Sequence, residues 1–278
     1  MEQGIEFLKG HGTENDFILL PDPTGSLDLT PSRVRALCDR HRGLGADGVL
    51  RVVPAGLMFD VPLGTAPDDW FMDYRNADGS VAELCGNGAR VLVRYLTDAG
   101  LVVDPEFRIG SRSGPRTVRC NDDGSVAVEM GPVRRNGTST VTVEGAAFTG
   151  LAVDVGNPHL VCLSEVPVEQ LDLSLPPGHD PGIFPHGVNV EFVNVLCAGQ
   201  LRMRVHERGV GETRSCGTGT IAALAAVLDA EGRDTGEADV ELPGGLVHAA
   251  IAKDRSTLTG PAVLVASGRL AASWWSAH

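Results

Sequence analysis

Hydrophobic residues along this chain fall mainly into short runs that are separated by glycine, proline, asparagine and aspartate. Runs of this length, rich in β-branched and aromatic residues, predict strands, and the separating residues predict turns, as at 121–125 and 242–245. The predicted strands are residues 5–8, 17–20, 48–53, 70–74, 107–109, 117–120, 126–130, 148–155, 160–163, 188–195, 201–206, 240–241, 246–251 and 262–268. Most of the chain is therefore predicted to be β-structure.

Three segments have helical patterns instead. The first spans residues 32–40, with Thr30 as its cap and Pro31 at the first helical position. The other two follow Cys85 and Cys216, and both are strongly apolar; residues 221–228 have no polar face at all. Because a helix without a polar face must be enclosed by other structure, we expect a curved sheet around each of these two helices.

The two apolar helices begin in similar segments, NADGSVAELCGNGAR (76–90) and ERGVGETRSCGTGTIAA (207–223). In each, a cysteine precedes Gly-x-Gly, and a polar residue, Asn76 or Glu207, stands nine positions before the cysteine. This match predicts an internal repeat. The predicted fold class is α/β (α+β), with two pseudo-symmetric domains, each a curved, barrel-like β-sheet around a central helix.

The length of 278 residues also favours two domains. The pattern of strands is interrupted at GPVRRNG (131–137), which predicts the join there. We therefore expect an N-terminal domain over residues 1–131 and a C-terminal domain over 132–265, with a tail, 266–278, that returns to the first domain.

The formal charge of −13 argues against a nucleic-acid partner, which requires a basic surface. No apolar run approaches the ~20 residues of a membrane span, and the first residues lack the pattern of a signal peptide. The expected location is the cytoplasm. The six cysteines show no Cys-x-x-Cys pair and no zinc-ligand spacing, so we expect thiols and no metal.

Cys85 and Cys216 stand where two helices are predicted to begin. A helix N-terminus carries unpaired N–H groups and about half a positive charge. It should lower the pKa of the thiol, and its N–H groups can hold a carboxylate that the glycines allow to approach closely. A thiolate beside a bound carboxylate suits removal of a proton from the carbon α to that carboxylate.

Two such sites suggest a reaction that uses both. If the domains face each other, one thiolate removes the α-proton and the opposite thiol returns a proton on the other face. This is the chemistry of a two-base racemase or epimerase that needs no cofactor, and no motif indicates pyridoxal phosphate.

The chain resembles the diaminopimelate epimerase family, most specifically through the 76–90 segment. Further similar segments are GHGTENDF (10–17), DRHRGLGADGV (39–49), GNPH (156–159), GVNVEF (187–192), ERGVGETRSCGTGT (207–220) and LTGPA (258–262). The resemblance covers essentially the whole chain. It implies an isomerase that epimerises LL-2,6-diaminopimelate to the meso form for lysine and peptidoglycan synthesis. It also implies a homodimer whose other partner is a small amino-acid substrate.

The resemblance also implies residue roles. Cys85 and Cys216 would be the acid/base thiols, with His159 and Glu207 as polar neighbours that tune their protonation. The backbone at Gly86, Asn87, Gly217 and Thr218 would hold the α-carboxylate. The remaining amino and carboxylate groups of the substrate would be bound by Asn15, Asn76, Asn157, Asn189 and Arg208, with Arg208 at the distal carboxylate.

Three other interpretations fit the sequence less well. Proline racemase or hydroxyproline epimerase shares the fold, but these relatives resemble Cys-Gly-His-Gly at the first thiol, where this chain has Asn87. A thiol redox protein would not require two carboxylate sites. A dinucleotide-binding loop at residues 43–48 matches G-x-G-x-x-G, but it lacks the preceding strand and following helix that such a loop requires.

Overall fold

The computed structural model describes residues 4–278, which divide into two compact units. Unit 1 comprises the described residues up to Val128 together with Pro261–His278, and unit 2 comprises Glu129–Gly260. No helix within the described range is both long and apolar enough to span a membrane.

The secondary structure is mainly β. The α-helices are α1 (Pro31–Cys38), α2 (Gly86–Asp98), α3 (Gly217–Ala230) and α4 (Ala272–Ser276), with single 3-10 turns at Ala55–Leu57 and Val168–Gln170. The strands are β1 (Glu6–Gly12), β2 (Asn15–Pro21), β3 (Gly48–Pro54), β4 (Trp70–Asn76), β5 (Glu106–Gly110), β6 (Arg116–Cys120), β7 (Val126–Gly131), β8 (Arg134–Val143), β9 (Ala146–Asp154), β10 (Pro158–Leu163), β11 (Asn189–Cys197), β12 (Gln200–Glu207), β13 (Gly211–Thr213), β14 (Gly236–Leu242), β15 (Gly245–Ile251), β16 (Ser256–Gly260) and β17 (Val263–Arg269).

In unit 1 the sheet is built around α2. β1 pairs antiparallel with β2 and β17, β2 runs parallel to β3, and β3 runs antiparallel to β4. β5 pairs in parallel with β4 and antiparallel with β6. α2 contacts β1, β2, β3, β4, β6 and β17. Its apolar residues Val91, Leu92, Val93 and Leu96 are fully buried.

Unit 2 repeats this arrangement around α3. β9 pairs antiparallel with β10, β10 runs parallel to β11, and β11 runs antiparallel to β12. β12 pairs in parallel with β14, which is followed by the antiparallel strands β15 and β16. α3 contacts β9, β10, β11, β12, β14, β15 and β16, and every residue from Ile221 to Leu228 is buried. The predicted mixed fold class, with an apolar helix wrapped by strands in each half, is confirmed.

The two central helices have the same ends. Each begins after a cysteine in extended conformation, and each ends before a glycine with positive φ, Gly100 (+65°) or Gly232 (+66°). The residue after that glycine donates its N–H to a carbonyl in the last turn, Leu96 in α2 and Leu228 in α3. Glycine adopts this left-handed conformation without the steric cost that other residues incur.

The sequence prediction did not include β8, β13, β16 or α4, and it placed the end of α1 two residues too late. β8 was not predicted, because its polar residues and Asn136-Gly137 resemble a loop; the structure has a strand there, with a register shift between Arg135 and Thr138. α1 ends at Cys38 rather than at residue 40, since the Asp39 carboxylate accepts hydrogen bonds from the N–H groups of His41 and Arg42 and so forms a turn.

Candidate active site

Cys85 caps the N-terminus of α2. Its backbone is extended (φ −133°, ψ 117°), and its Sγ accepts a hydrogen bond from the N–H of Gly88 at 3.4 Å. The thiol also lies 3.7 Å from Oδ1 of Asn15. A Cβ at position 88 would come within 3.2 Å of Leu50, so a glycine there lets the helix start close to the sheet. The thiol therefore sits among the N–H groups of the first helical turn.

The asparagines of unit 1 differ in their distance from this thiol. Nδ2 of Asn87 donates to Oδ1 of Asn15 at 3.2 Å, and Nδ2 of Asn15 donates to the Asp47 carboxylate at 2.8 Å. These amides link the helix start to the strand edge. Nδ2 of Asn76 instead donates to Oγ of Ser80 at 3.0 Å, within the turn that leads from β4 towards Cys85.

Cys216 has the same position at the start of α3. Its backbone angles are φ −129° and ψ 115°, and its Sγ accepts a hydrogen bond from the N–H of Gly219 at 3.4 Å. Its Sγ lies 3.6 Å from Oγ1 of Thr218. Only 6% of the residue is exposed. The cysteine caps predicted from the repeat are thus present in both units.

The expectation that the helix N-terminus lowers the thiol pKa is wrong for Cys216. Burial raises the pKa of the Cys216 thiol well above its usual value, and the carboxylates of Glu207 and Glu191 raise it further. The hydrogen bonds from Thr218 and Gly219 act in the opposite direction but are the smaller effects. Desolvation of a thiolate prevails over the favourable helix terminus, so Cys216 is a neutral thiol at neutral pH.

A fully buried His159–Glu191 pair lies in the same unit. Nδ1 of His159 is 2.7 Å from Oε1 of Glu191, and Nε2 of His159 is 2.9 Å from Oδ1 of Asn157. Both ring nitrogens therefore have a partner, which fixes the orientation of the imidazole. A Cβ at Gly219 would come within 2.6 Å of Oε1 of Glu191, so the carboxylate packs directly against the start of α3.

Glu191 was not singled out in the sequence analysis. It lies in the GVNVEF segment (187–192), where the sequence contains one signal of its role. A single carboxylate in an otherwise apolar strand, flanked by Val190 and Phe192, must be buried with a partner or point to solvent. In β11 it is buried, and His159 is the partner.

Asn189 lies where β11 begins, beside Glu207 and Arg208 at the end of β12. Oδ1 of Asn189 accepts the N–H of Arg208 at 2.9 Å, and Nδ2 of Asn189 donates to the carbonyl of Pro158 at 3.2 Å. The Glu207 carboxylate accepts a hydrogen bond from the hydroxyl of Thr213. The Arg208 side chain is exposed, and Nη1 donates to the carbonyl of His186 at 3.2 Å.

The candidate residues thus fall into two sets, one in each unit. Unit 1 holds Asn15, Asn76, Cys85, Gly86 and Asn87, and unit 2 holds Asn157, His159, Asn189, Glu207, Arg208, Cys216, Gly217 and Thr218. Each set includes the first residues of its central helix. Between residues 4 and 278, no group of three or more histidine, cysteine or acidic side chains is placed to hold a metal ion.

Two solved structures resemble this chain in fold. A PhzF-family phenazine biosynthesis protein from Bacillus anthracis matches with a TM-score of 0.69 over 97% of this chain and 99% of its own, at 14% identity. A hydroxyproline epimerase from Agrobacterium vitis matches with a TM-score of 0.65 over 98% of this chain and 93% of its own, at 16% identity. At these identities the likeness shows the fold alone.

Sequence comparison is more specific. A family model described as diaminopimelate epimerase matches residues 7–136 and 151–265. Diaminopimelate epimerase from Rhodococcus opacus (strain B4) is 56% identical over 98% of this chain and 99% of its own length. That from Mycolicibacterium gilvum (strain PYR-GCK) is 54% identical over 99% of this chain and its own full length. The chain belongs to the diaminopimelate epimerase family.

Proposed function

We propose that the protein interconverts LL- and meso-2,6-diaminopimelate by proton transfer at one α-carbon, with Cys85 and Cys216 as the two bases and no cofactor. The proposal rests on one arrangement that occurs in both units: a cysteine caps a buried helix that begins with glycine. The close similarity to enzymes named diaminopimelate epimerase supports the choice of substrate.

The reaction requires that an α-hydrogen of very low acidity becomes removable. In the proposed complex, the α-carboxylate accepts hydrogen bonds from backbone N–H groups at Gly86, Asn87, Gly217 and Thr218. The first turn of a helix has no internal acceptors for these groups. They would stabilise the negative charge that develops on the carboxylate as the proton leaves.

The two thiols then act in sequence on one carbon. A thiolate takes the α-proton and becomes a thiol, the electron pair is delocalised into the carboxylate, and the other thiol gives its proton to the opposite face and becomes a thiolate. One proton is taken and one is given, so no oxidant or electron acceptor is required. The raised pKa of Cys216 favours its protonated form at the start of such a cycle.

The remaining candidate residues receive supporting roles in this proposal. His159 and Glu207 adjust the protonation of the thiols, and Asn157 holds the His159 ring. Asn15, Asn76 and Asn189 bind amino and carboxylate groups of the substrate. Arg208 carries an exposed guanidinium suited to the distal carboxylate, which a substrate with only one carboxylate lacks.

We also propose a cytoplasmic location, a homodimer and a role in supplying meso-diaminopimelate for lysine and peptidoglycan. The homodimer and the pathway role rest on the family resemblance.

The test follows LL-diaminopimelate in D₂O by NMR with wild type, Cys85→Ser, Cys216→Ser and the control Cys197→Ser, whose thiol is exposed and outside the candidate site. Proline is run in parallel. We expect α-deuteration with conversion to the meso form in wild type and Cys197→Ser. Each catalytic variant should lose about 100-fold or more in rate, the usual contribution of a general acid or base.

Other outcomes separate the alternatives. Exchange on proline but not on diaminopimelate would assign the chain to the proline racemase activity instead. Absence of exchange on both substrates, from protein with reduced thiols, would refute proton transfer as the function.

A further inference from the structure

The side-chain amide of Asn15 contacts the first turn of α2. Oδ1 of Asn15 lies 3.7 Å from Sγ of Cys85 and accepts a hydrogen bond from Nδ2 of Asn87 at 3.2 Å. The two ends of an asparagine amide have nearly the same shape, so the groups around it decide whether its oxygen or its nitrogen faces a site. The partners of Asn15 therefore determine what kind of ligand group it can bind.

Asp47 binds the other end of this amide. Nδ2 of Asn15 donates to Oδ2 of Asp47 at 2.8 Å. An ionised carboxylate accepts hydrogen bonds but donates none, so the Asn15 nitrogen must face Asp47 and the Asn15 oxygen must face Cys85. The hydrogen bond that Nδ2 of Asn87 donates to that same oxygen agrees with this orientation.

The Asp47 carboxylate is itself fixed, by the backbone of β2 and by an arginine. The N–H of Asp16 donates to Oδ2 of Asp47 at 3.1 Å, and Nη2 of Arg40 donates to Oδ1 at 2.8 Å. The N–H of Asp47 donates in turn to the carbonyl of Asp16 at 3.0 Å, directly before β3 begins its pairing with β2. Both carboxylate oxygens are engaged, so the side chain is held in place although 42% of it is exposed.

The charges around Asp47 balance. Nη2 of Arg40 also donates to Oδ1 of Asp16 at 2.9 Å, and Nζ of Lys9 donates to Oδ2 of Asp16 at 2.6 Å. Burial would raise the pKa of Asp16, but the hydrogen bonds and charges of Arg40 and Lys9 outweigh burial and lower that pKa to about 2. Two cations thus accompany two carboxylates. Because Asp16 pairs with Lys9, the Asp47 carboxylate is left to bind Arg40 and Asn15.

Unit 2 holds its corresponding asparagine by a different group. Asn157 stands directly before β10, as Asn15 stands at the start of β2. The residue before β3 is Asp47, whereas the residue before β11, the matching strand of unit 2, is Val188, which is apolar and buried. Oδ1 of Asn157 is instead 2.9 Å from Nε2 of His159. The carboxylate therefore serves the asparagine of unit 1 and is not a requirement of the shared backbone.

We propose that Asp47 is a positioning residue, which holds the Asn15 amide with its oxygen towards the start of α2 and its nitrogen away from it. In diaminopimelate the ammonium groups donate hydrogen bonds, while the carboxylates only accept them. An Asn15 held in this way accepts from an ammonium group and does not bind a carboxylate. The inference rests on the proposed function for its substrate, but the orientation of Asn15 is measurable without turnover.

A double-mutant cycle tests whether Asp47 acts through Asn15. The variants are Asp47→Ala, Asn15→Ala and the double variant, and the readouts are kcat and KM for LL-diaminopimelate. Asp47→Ala should lower kcat/KM by about 10- to 100-fold, the usual range for losing one hydrogen bond to a charged group. In the Asn15→Ala background the same change should cost less than about twofold, because no amide is left to orient.

Two further variants separate positioning from a structural effect. Asp47→Asn keeps an oxygen that can accept from Nδ2 of Asn15, so it should recover most of the loss in kcat/KM. Asp98→Ala is the matched control, because the Asp98 side chain is as exposed as that of Asp47 (42%) and pairs with an arginine, Arg94, at the other end of α2. It should leave kcat/KM at the wild-type value.

Solvent exchange of the Asn15 side-chain amide protons, followed by NMR, tests the orientation without turnover. The Asn15 signal is the one that is missing in Asn15→Ala. Its exchange in wild type should be slower than that of the exposed Asn136 amide. The exchange should accelerate about tenfold in Asp47→Ala, which removes the acceptor, and should not change in Asp98→Ala.

An equal loss of kcat/KM from Asp47→Ala in both backgrounds would overturn the proposal, since Asp47 would then act on the substrate directly. Unchanged amide exchange in folded Asp47→Ala would overturn it too. Should Asp47→Ala fail to fold, wild type still provides the test: Asn15 amide protons that exchange as fast as those of Asn136 would refute the orientation. Deuterium incorporation into LL-diaminopimelate by wild type, recorded in parallel, shows separately whether the proposed function holds.

Discussion

At the scale of single residues, opposing effects act on the Cys216 thiol. The start of α3 favours a thiolate through the N–H of Gly219, while burial and the carboxylates of Glu207 and Glu191 favour the neutral thiol. Burial prevails because a charge that leaves water loses more solvation than one helix terminus returns. Cys216 is therefore suited to give a proton before it takes one.

This protonation state predicts the alkaline side of the pH profile. In the direction that uses Cys216 as the acid, kcat/KM should fall only when Cys216 loses its proton. Because the Cys216 pKa is raised well above its usual value, the rate should persist beyond the ~8.5 at which a free thiol ionises. Initial rates measured from neutral to alkaline pH on stable protein check this. A fall at or below the pH of an ordinary thiol would contradict it.

Glu191→Gln tests the buried carboxylate. Since the Glu191 carboxylate raises the pKa of Cys216, its removal should lower that pKa and move the alkaline limb of the profile to lower pH. The His159 ring also loses its charged partner, which should cost about 1–3 kcal/mol of unfolding free energy. The control is Glu165→Gln, because the Glu165 side chain is exposed. If the alkaline limb of the pH profile does not move in folded Glu191→Gln, the electrostatic effect of Glu191 on Cys216 is contradicted.

The position of both cysteines at helix starts could be predicted from the sequence, because each lies in the repeated segment. The pKa of Cys216 could not. It depends on Glu191, which is distant in the chain and reaches Cys216 only because β11 runs beneath the start of α3. Arg90 likewise lies in the 76–90 segment, but its burial against Thr13 and Pro261 is visible only in the fold.

At the scale of elements, the starts of α2 and α3 have one backbone geometry and different neighbours. Gly88 and Gly219 both donate to the thiol that caps their helix. A Cβ at position 88 would crowd the end of the flexible Leu50 side chain, whereas a Cβ at position 219 would collide with Oε1 of the buried Glu191. The two glycines should therefore differ in their tolerance of substitution.

Gly219→Ala should be less stable than Gly88→Ala by about 1–3 kcal/mol, the usual cost of overpacking a buried site. Both variants share the gain in helix propensity, about 1 kcal/mol, so the comparison isolates the contact. Denaturant unfolding of the two proteins and wild type gives the difference. Equal stabilities would show that Glu191 moves aside at little cost.

Element prediction succeeded where the apolar pattern was clear, as in α2 and α3, and failed where it was not. β8 alternates buried and exposed residues only in its second half, and Asn136-Gly137 makes the first half resemble a loop in sequence. Its strand character depends on pairing with β9, which is a tertiary contact that no local pattern contains.

At the scale of the whole molecule, one sequence pattern has been used twice with different chemistry. Each unit places a cysteine, a glycine and a buried helix in the same backbone frame, and only the surrounding side chains distinguish them. Inversion of a stereocentre by two groups requires that one takes a proton while the other gives one. The repeat made this duplication predictable, whereas the raised pKa of Cys216 is visible only in the fold.

Isotope distribution at low conversion shows whether two thiols act on one α-carbon. LL-diaminopimelate is incubated in D₂O with wild-type protein, the reaction is stopped early, and the α-positions of the meso product and recovered LL substrate are compared by NMR. Two bases predict deuterium at the inverted carbon of the product and the original proton in the recovered substrate, because the deuteron comes from the second, solvent-equilibrated thiol. Retention of the original proton in the product would show that one base carries the proton across, and would refute the two-thiol mechanism.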